Sequence, residues 1–197
     1  MATYTQPSKG TVVFLDRDGV INANRADYVK AWHEFRFLPG ALEALRLLTE
    51  QGCVLFVVTN QAAINRGLVA QQTVEAMHRQ MLAVIEDGGG RITAVRFCPH
   101  RPDEACLCRK PQPGMLQRLV AEYQINPFAA YMVGDALSDI AAGHAVGCRT
   151  ILVQTKDDGG VAQHGPPEPH QPPDHVVASL LEAAHWIRHQ IRQSAPL

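Results

Sequence analysis

The sequence predicts an α/β fold, with one mainly parallel sheet and helices on both of its faces. Short apolar runs of strand length alternate along the chain with longer segments of helical periodicity, which is the pattern of βαβ units. The strand runs are apolar throughout, as in strands that are covered on both faces. Right-handed crossovers would place helices on both sides. The 197 residues are enough for one domain with a substantial core.

The first part of the chain contains two of the predicted strands. Residues 11–15 (TVVFL) form the first strand, and residues 22–38 show no clear period, so we expect a loop or a short hairpin there. Pro39 and Gly40 open a helix that stops at Gly52. A second apolar strand, CVLFVV, follows directly and completes the first repeat of strand and helix.

The remaining elements continue the same alternation. They are helix 70–86, strand 92–97, helix 113–123, strand 131–133, helix 135–146 and strand 149–153. The chain as a whole then divides into an N-terminal tail (1–10), the core (11–154), a flexible loop rich in proline, glycine and histidine (155–174), and a last strand and helix (175–197). The last segment is expected to pack on the sheet through Val176, Leu180, Leu181 and Trp186.

Composition and charge argue against several classes of function. The formal net charge is −1, which gives no strong attraction to nucleic acids or acidic membranes. No apolar run approaches the ~20 residues that cross a bilayer, and the N-terminus lacks the features of a signal peptide. We therefore expect a cytoplasmic protein without a membrane or nucleic-acid partner, and nothing in the sequence requires more than a monomer.

The cysteines do not form a disulfide framework in this prediction. Their number, five, is odd, and disulfides are rare in the expected compartment. Cys53 and Cys148 begin apolar runs, so we interpret them as small core residues.

Polar side chains follow the predicted strands at their carboxyl ends, where ligands bind to open α/β sheets. Side chains two apart in an extended chain point the same way, so the first two acids are expected to converge, with a glycine turn after them. Four such features occur in order: the pair Asp16 and Asp18, the run Thr59-Asn60-Gln61, Lys110, and Asp135 with Asp139 one helical turn later.

Together these residues suit phosphoryl transfer. Clustered carboxylates suit Mg²⁺, the usual cation beside phosphate. One carboxylate can attack phosphorus and a second can protonate the leaving oxygen, while Thr59, Asn60 and Lys110 supply donors and a positive charge. Taken singly, each feature also fits a turn, a helix cap or a solvated lysine. Their joint occurrence at successive strand ends favours a site.

A cysteine-rich loop, CPHRPDEACLC, follows the third predicted strand. Three thiolates and one imidazole make a full tetrahedral set for Zn²⁺. The alternative is a metal-free cluster of reduced cysteines, which would be prone to oxidation. With four protein ligands no position stays open, so the sequence predicts a structural zinc that fixes the loop carrying Arg109 and Lys110. The predicted ligands are Cys98, His100, Cys106 and Cys108.

In this order, FLDRDGV, VVTN, Lys110 and GDALSD resemble the four motifs of the haloacid dehalogenase-like (HAD-like) phosphatases, over nearly all of residues 11–153. The resemblance implies a Rossmann-like fold without a large cap domain, and Mg²⁺-dependent phosphoryl transfer through an aspartyl-phosphate. By motif position, Asp16 is the nucleophile and Asp18 the general acid and base. The resemblance assigns Mg²⁺ to Asp16, the backbone carbonyl of Asp18 and Asp135, and the phosphate to Thr59 and Lys110.

The zinc loop on this scaffold is similar to one branch of the family, which contains heptose bisphosphate phosphatases and histidinol-phosphate phosphatases. TNQAAINRG, RKPQPGM and YVK followed by FRFLPG are similar to strings of the heptose enzymes. They favour removal of the 7-phosphate of a heptose 1,7-bisphosphate, a step towards nucleotide-activated heptose for lipopolysaccharide and other surface glycans. The short zinc loop is similar to the histidinol branch, which stays the alternative. The match adds Asp27, Tyr28, Asn60, Gln61 and Arg109 to the substrate site.

Two positions depart from the family pattern, and two other functions stay open. Val20 stands where a threonine is common, and Ala136 stands where many relatives carry a lysine, so one positive group near the phosphate is missing. A non-catalytic, zinc-stabilised binding module would tolerate loss of a motif acid or of Lys110, yet all are present. A nucleic-acid 3′-phosphatase would need a basic groove, which the charge balance does not support.

Overall fold

The computed structural model of the protein describes residues 10–154 and 171–194. Apart from residues 10 and 171–174, the predicted tail and the predicted flexible loop 155–174 lie outside the described residues. Within the two described ranges, no helix combines the length and the apolar character that a membrane crossing requires.

Six strands form one sheet in which every neighbouring pair is parallel, which confirms the predicted fold class. In chain order they are β1 (Val12–Leu15), β2 (Val54–Asn60), β3 (Ile92–Cys98), β4 (Ala130–Gly134), β5 (Arg149–Val153) and β6 (His175–Val177). Across the sheet the order is β3-β2-β1-β4-β5-β6, so β1 lies in its interior.

The connections between the strands are helical. The α-helices of the described residues are α1 (Ala41–Glu50), α2 (Gln71–Asp87), α3 (Gly114–Tyr123), α4 (Leu137–Val146) and α5 (Leu180–Ser194). Three-residue 3₁₀ helices occur at Trp32–Glu34, Pro102–Glu104 and Pro127–Ala129. The helices follow the predicted ranges closely because most of them end at the glycines or polar turns that the sequence provides.

Alternate residues of β1 contribute to two separate cores. Val13 and Leu15 lie in the core on the side of α1, α2 and α5, whereas Phe14 lies in the core on the side of α3 and α4. All three side chains are fully buried, and each such burial stabilises the fold by roughly 1.5–3 kcal/mol. A strand covered on both faces is held firmly, so the residues at its carboxyl end are placed with little freedom.

The chain changes direction across the sheet beside β1. It passes from β1 to β2 and β3 on one side, then returns to add β4, β5 and β6 on the other. The carboxyl ends of β1 and β4 therefore border a crevice, the place where open α/β sheets bind ligands. Asp16 follows β1 and its backbone N–H donates to the carbonyl of Val133 in β4 at 2.9 Å.

Two sequence predictions need correction. Val176, predicted to pack on the sheet, is 47% exposed, and Val177 faces the core instead because alternate strand residues point to opposite sides. The helix predicted from residue 135 begins two residues later, because Ala136 is extended and its N–H donates to Oδ2 of Asp139 at 3.1 Å. Residues 22–38 form a loop closed by one antiparallel bridge, between Asn22 and Phe37.

Candidate active site

Asp16 lies where β1 ends, among buried charged side chains. Its Oδ1 lies 2.9 Å from Nζ of Lys110 and accepts a hydrogen bond from the backbone N–H of Arg17 at 2.7 Å. Burial raises the pKa of Asp16 to about 7; Lys110 opposes this rise, and the charges of Asp139 and Asp18 add to it. The side chain therefore has one cationic partner, Lys110, among several anionic neighbours.

Three carboxylates meet at this point, and we call them the acid cluster: Asp16, Asp135 and Asp139. Each offers an oxygen atom, and these atoms lie within 4.8 Å of one another. Burial, together with the charges of Asp16 and Asp139, raises the pKa of Asp135 to about 8. Acids this close repel unless cations balance them, and carboxylate oxygens are the ligands that Mg²⁺ prefers. The donor set therefore fits Mg²⁺, and it includes Asp139, which the predicted ligand set did not.

The turn after β1 leaves room for Asp135 because residue 19 is a glycine. Gly19 has φ +79°, and a Cβ atom built there would lie 1.9 Å from Oδ2 of Asp135. Only glycine combines this left-handed backbone with so close an approach. The glycine of the DRDG string is thus required by the geometry of the acid cluster.

Lys110 reaches the acid cluster from the other side. Its Nζ lies 2.9 Å from Oδ1 of Asp16 and 2.5 Å from Oδ1 of Asp139, and it donates to the carbonyl of Val58 at 2.8 Å. Burial alone would lower the pKa of Lys110, but the two carboxylates raise it above its ordinary value. Asn60 holds the backbone of Lys110 through two hydrogen bonds of 3.1 Å, one to its N–H and one to its carbonyl.

The carboxylate of Asp18 is not part of the acid cluster, contrary to the predicted convergence of the two strand-end acids. β1 ends before residue 16, so the extended geometry on which that prediction rested does not continue. Arg17 donates to both carboxylate oxygens at 2.9 Å, Asn22 donates to Oδ1 at 2.8 Å, and Gln61 donates to Oδ2 at 2.9 Å. Burial alone would raise the pKa of Asp18, but Arg17 and the two amides lower it.

Thr59, fully buried, accepts a second hydrogen bond from Gln61 at 2.9 Å.

Two residues that were not predicted from the sequence, Arg17 and His78, lie behind Asp18. Arg17 is 1% exposed, and its NH1 lies 3.0 Å from Nε2 of His78. Its guanidinium carbon lies 5.8 Å from the ring centroid of Phe35. Burial and the charge of Arg17 lower the pKa of His78 to about 3, so the ring is neutral and Nε2 accepts the hydrogen bond. The position of Arg17 between two motif acids could have identified it as a site residue. Nothing in the sequence distinguishes His78, because it occupies one polar position of an amphipathic helix.

Two predicted substrate residues, Asp27 and Tyr28, lie on the loop between β1 and α1. The carboxylate of Asp27 pairs with Lys30 at 2.6 Å and with Arg25 at 2.9 Å, and hydrogen bonds from these two cations lower its pKa to about 2. Tyr28 has φ 65°, which is uncommon for a residue with a side chain. The contacts of Asp27 lie within its own loop, and substrate binding by either residue stays a prediction.

The four predicted zinc ligands lie together. Their sulfur atoms are 3.1–3.5 Å apart, and Nδ1 of His100 lies 3.4 Å from Sγ of Cys98 and 3.3 Å from Sγ of Cys108. Tetrahedral zinc with ordinary bond lengths would separate two sulfurs by about 3.8 Å and a sulfur from a nitrogen by about 3.6 Å. The cluster fits Zn²⁺ after a slight expansion, and its ligand atoms all lie within 4.8 Å of one another.

The cysteine loop is connected to the acid cluster through the backbone. The carbonyl of Cys98 accepts a hydrogen bond from the N–H of Gln61 at 2.7 Å. Arg109, a predicted substrate residue, donates from NH1 to the carbonyl of His100 at 3.1 Å. Lys110 follows one residue later. A change in the conformation of the loop would therefore affect Lys110 and, through Gln61, the residues around Asp18.

Known proteins resemble this chain in sequence and in fold. A family model described as HAD-hydrolase-like matches residues 107–183. The D-glycero-beta-D-manno-heptose-1,7-bisphosphate 7-phosphatase of Pseudomonas putida is 40% identical over 157 residues, which cover 80% of this chain and 90% of that protein. The D-glycero-alpha-D-manno-heptose-1,7-bisphosphate 7-phosphatase of Mycobacterium tuberculosis is 36% identical over 157 residues, 76% of this chain and 83% of that protein.

A solved structure extends the likeness to the whole described fold. The crystal structure of D,D-heptose 1,7-bisphosphate phosphatase from Bordetella bronchiseptica, complexed with magnesium and phosphate, has a TM-score of 0.81 and 34% sequence identity, and covers 94% of this chain and 99% of that one. The predicted family resemblance is thereby confirmed. The chain belongs to the family of HAD-like phosphatases that contains the heptose-1,7-bisphosphate 7-phosphatases.

Proposed function

We propose that this protein removes the 7-phosphate of a D-glycero-D-manno-heptose 1,7-bisphosphate through an aspartyl-phosphate on Asp16. The proposal rests mainly on one observation: the carboxylate of Asp16 lies at the crevice between β1 and β4 with Lys110 at 2.9 Å and the other two acids of the cluster beside it. The names of the relatives supply the substrate class. The reaction would serve the synthesis of nucleotide-activated heptose for surface glycans.

In the first step, a carboxylate oxygen of Asp16 attacks the phosphorus atom. The bond between phosphorus and the sugar oxygen breaks, and Asp18, which would take up a proton when the anionic substrate binds beside it, gives that proton to the leaving oxygen. Lys110 balances negative charge on Asp16 and on the phosphoryl oxygens. Mg²⁺ held by Asp16, Asp135 and the backbone carbonyl of Asp18, with Asp139 beside it, would supply further positive charge for the same purpose.

In the second step, Asp18, now a carboxylate, takes a proton from a water molecule whose oxygen attacks the phosphorus. The bond from phosphorus to Asp16 breaks, inorganic phosphate leaves, and the carboxylate of Asp16 is restored. The hydrogen bonds that Asp18 accepts from Arg17, Asn22 and Gln61 favour its charged form, which is the form that this step needs.

The substrate is tested by comparing two phosphate esters. We expect kcat/KM for heptose 1,7-bisphosphate to exceed that for histidinol phosphate by about 100-fold or more, because a pocket built for one set of hydroxyl groups leaves buried polar atoms unpaired with another. Both anomers of the heptose should be assayed, since relatives with either name match this chain. A preference for histidinol phosphate would replace the heptose substrate while keeping the chemistry.

We also propose that Cys98, His100, Cys106 and Cys108 bind one structural Zn²⁺. Four protein ligands leave no position for water or substrate, so this ion would take no part in the chemistry. Its task would be to hold the loop that positions Arg109 and Lys110. No disulfide links the five cysteines in the described residues, which supports a reducing compartment and the predicted cytoplasmic location. The monomeric state stays a prediction.

The zinc proposal predicts about one zinc ion per purified chain. Cys108→Ser should lower the zinc content and raise KM by about tenfold, with a smaller loss in kcat, because the loop would loosen while the acid cluster remains. Metal analysis and steady-state kinetics measure both effects. Cys148→Ser, which changes a buried cysteine outside the cluster, is the matched control and should keep its zinc. A protein that folds, lacks zinc and shows an unchanged KM would contradict the proposal.

A further inference from the structure

We propose that Arg17, anchored by His78, is a positioning residue that holds the carboxylate of Asp18 in place for the second step of the reaction. The proposal deepens the proposed function and rests on its assignment of Asp18 as the base. Neither Arg17 nor His78 contacts the acid cluster through its side chain in the hydrogen bonds and ion pairs of the described residues. Among these contacts, the acid that the side chain of Arg17 binds is Asp18.

The contacts of Arg17 form a short chain from helix α2 to the reaction centre. Nε2 of His78, which lies on α2, accepts from NH1, and NH2 donates to both oxygens of Asp18 at 2.9 Å. Nε of Arg17 has no hydrogen-bond partner among the described residues, so NH1 and NH2 alone fix the orientation of the guanidinium. The plane is further confined by the ring of Phe35. Without His78, one of its two anchors would be lost.

The other donors to Asp18 are less suited to this task. Each oxygen of the carboxylate already accepts two hydrogen bonds, so one donor must withdraw before a water molecule can give up a proton there. Gln61 can withdraw at little cost, because its Nε2 also donates to Oγ1 of Thr59. Within the two described ranges, NH2 of Arg17 has no acceptor other than the oxygens of Asp18, and its guanidinium carries the positive charge. Arg17 would therefore hold the carboxylate of Asp18 in place while Gln61 breaks its hydrogen bond to Asp18 and keeps the one to Thr59.

The test separates the two steps of the reaction. In a two-step reaction, slowing only the second step lowers kcat and KM together and leaves kcat/KM unchanged. Nitrophenolate is a good leaving group that needs no proton from Asp18, so the first step on 4-nitrophenyl phosphate does not depend on how Asp18 is held. For Arg17→Met, we therefore expect kcat for this ester to fall by about 100-fold while kcat/KM changes by less than about threefold. A burst of nitrophenolate close to one per active site should precede the slow steady state. Intact-protein mass spectrometry after acid quench should then show one added phosphoryl group.

Substitutions at His78 test the anchor without touching the reaction centre. His78→Leu removes the acceptor, and we expect about a tenfold lower kcat with the same burst, while His78→Gln keeps an acceptor and should stay within about threefold of the wild type. Should Arg17→Met fail to fold, this pair of variants decides the proposal alone. Arg46→Met, at an exposed ion pair on α1, is the control and should leave the kinetics unchanged.

A double-substitution experiment completes the test. In the background of Asp18→Asn, which has no base to position, Arg17→Met should cause no further loss in kcat. Additive losses, or a fall in kcat/KM as large as the fall in kcat without a burst, would overturn the proposal and leave Arg17 a purely structural residue. The aryl phosphate makes this result independent of the sugar substrate. Absence of any Mg²⁺-dependent hydrolysis by the wild type would instead overturn the proposed function.

Discussion

Asp16→Asn should abolish phosphatase activity, with kcat lower by about 10⁴-fold or more. An amide oxygen cannot form the aspartyl-phosphate, and the acid cluster loses one of its three anionic oxygens. Release of inorganic phosphate from an aryl phosphate and from the heptose bisphosphate measures the loss. Acid-quenched samples of the variant should contain no covalently bound phosphate.

The fold of this variant should remain intact. The pKa of Asp16 rises from 3.8 to about 7 on folding, so in the metal-free protein the charged side chain costs stability as the pH rises through this interval. Replacing it by a neutral amide removes that loss, and thermal unfolding in the presence of a chelator between pH 5 and about 8 should show a flatter profile than the wild type. Asp87→Asn, on the exposed end of α2, is the control. Activity retained in Asp16→Asn would exclude Asp16 as the nucleophile.

Lys110→Met should damage both activity and stability. The side chain of Lys110 is 1% exposed, and its loss leaves Asp16 and Asp139 without their buried cation. Breaking a buried ion pair by removing one partner costs about 3–5 kcal/mol in the free energy of unfolding. In the proposed mechanism the same charge stabilises the phosphoryl oxygens, so kcat/KM should fall by about 10²- to 10³-fold. Urea unfolding and steady-state kinetics measure the two effects.

Added Mg²⁺ should restore part of the stability of Lys110→Met, since it would neutralise the same carboxylates. It should not restore kcat/KM, because the side-chain cation that is proposed to bind the phosphate is still missing. Lys110→Arg keeps the charge and provides the comparison, with a smaller loss of stability than the methionine variant. An unfolding free energy of Lys110→Met equal to that of the wild type would show that the ion pairs contribute nothing to the folded state.

The sequence was sufficient for the fold because each element carries its own signal. Apolar runs such as VVFL and CVLFVV have no polar alternation, and this alone indicates strands covered on both faces. Glycine at the end of a periodic segment marks the end of a helix, as at position 147 after α4. The error at Val176 arose where a strand of three residues offers too few positions to reveal which face is buried.

The identity of the site was also readable, since its chemistry is concentrated in short strings. Asp16 and Asp135 each stand directly after a strand, and the topology of a parallel sheet brings such positions to one edge. Lys110 lies in the loop between β3 and α3, which follows the carboxyl end of β3. The four predicted zinc ligands lie within eleven residues, so their convergence needed no knowledge of the fold. Strand-end positions and local spacing therefore indicated most of the residues that meet and the kind of ion that each group suits, with the carboxylate of Asp18 as the exception.

Only the tertiary structure decided how each side chain is used. Asp139 could have been an exposed acid of a first helical turn, but the approach of Lys110 from a distant loop makes it a buried member of the acid cluster. Asp18 turned away from its predicted neighbour because Arg17, held by His78 sixty-one positions along the chain, provides its charge partner. The spacing of residues along the chain determines which side chains lie close together within one helix, strand or loop. Which buried charge neutralises which depends on contacts between elements, and these exist only once the chain has folded.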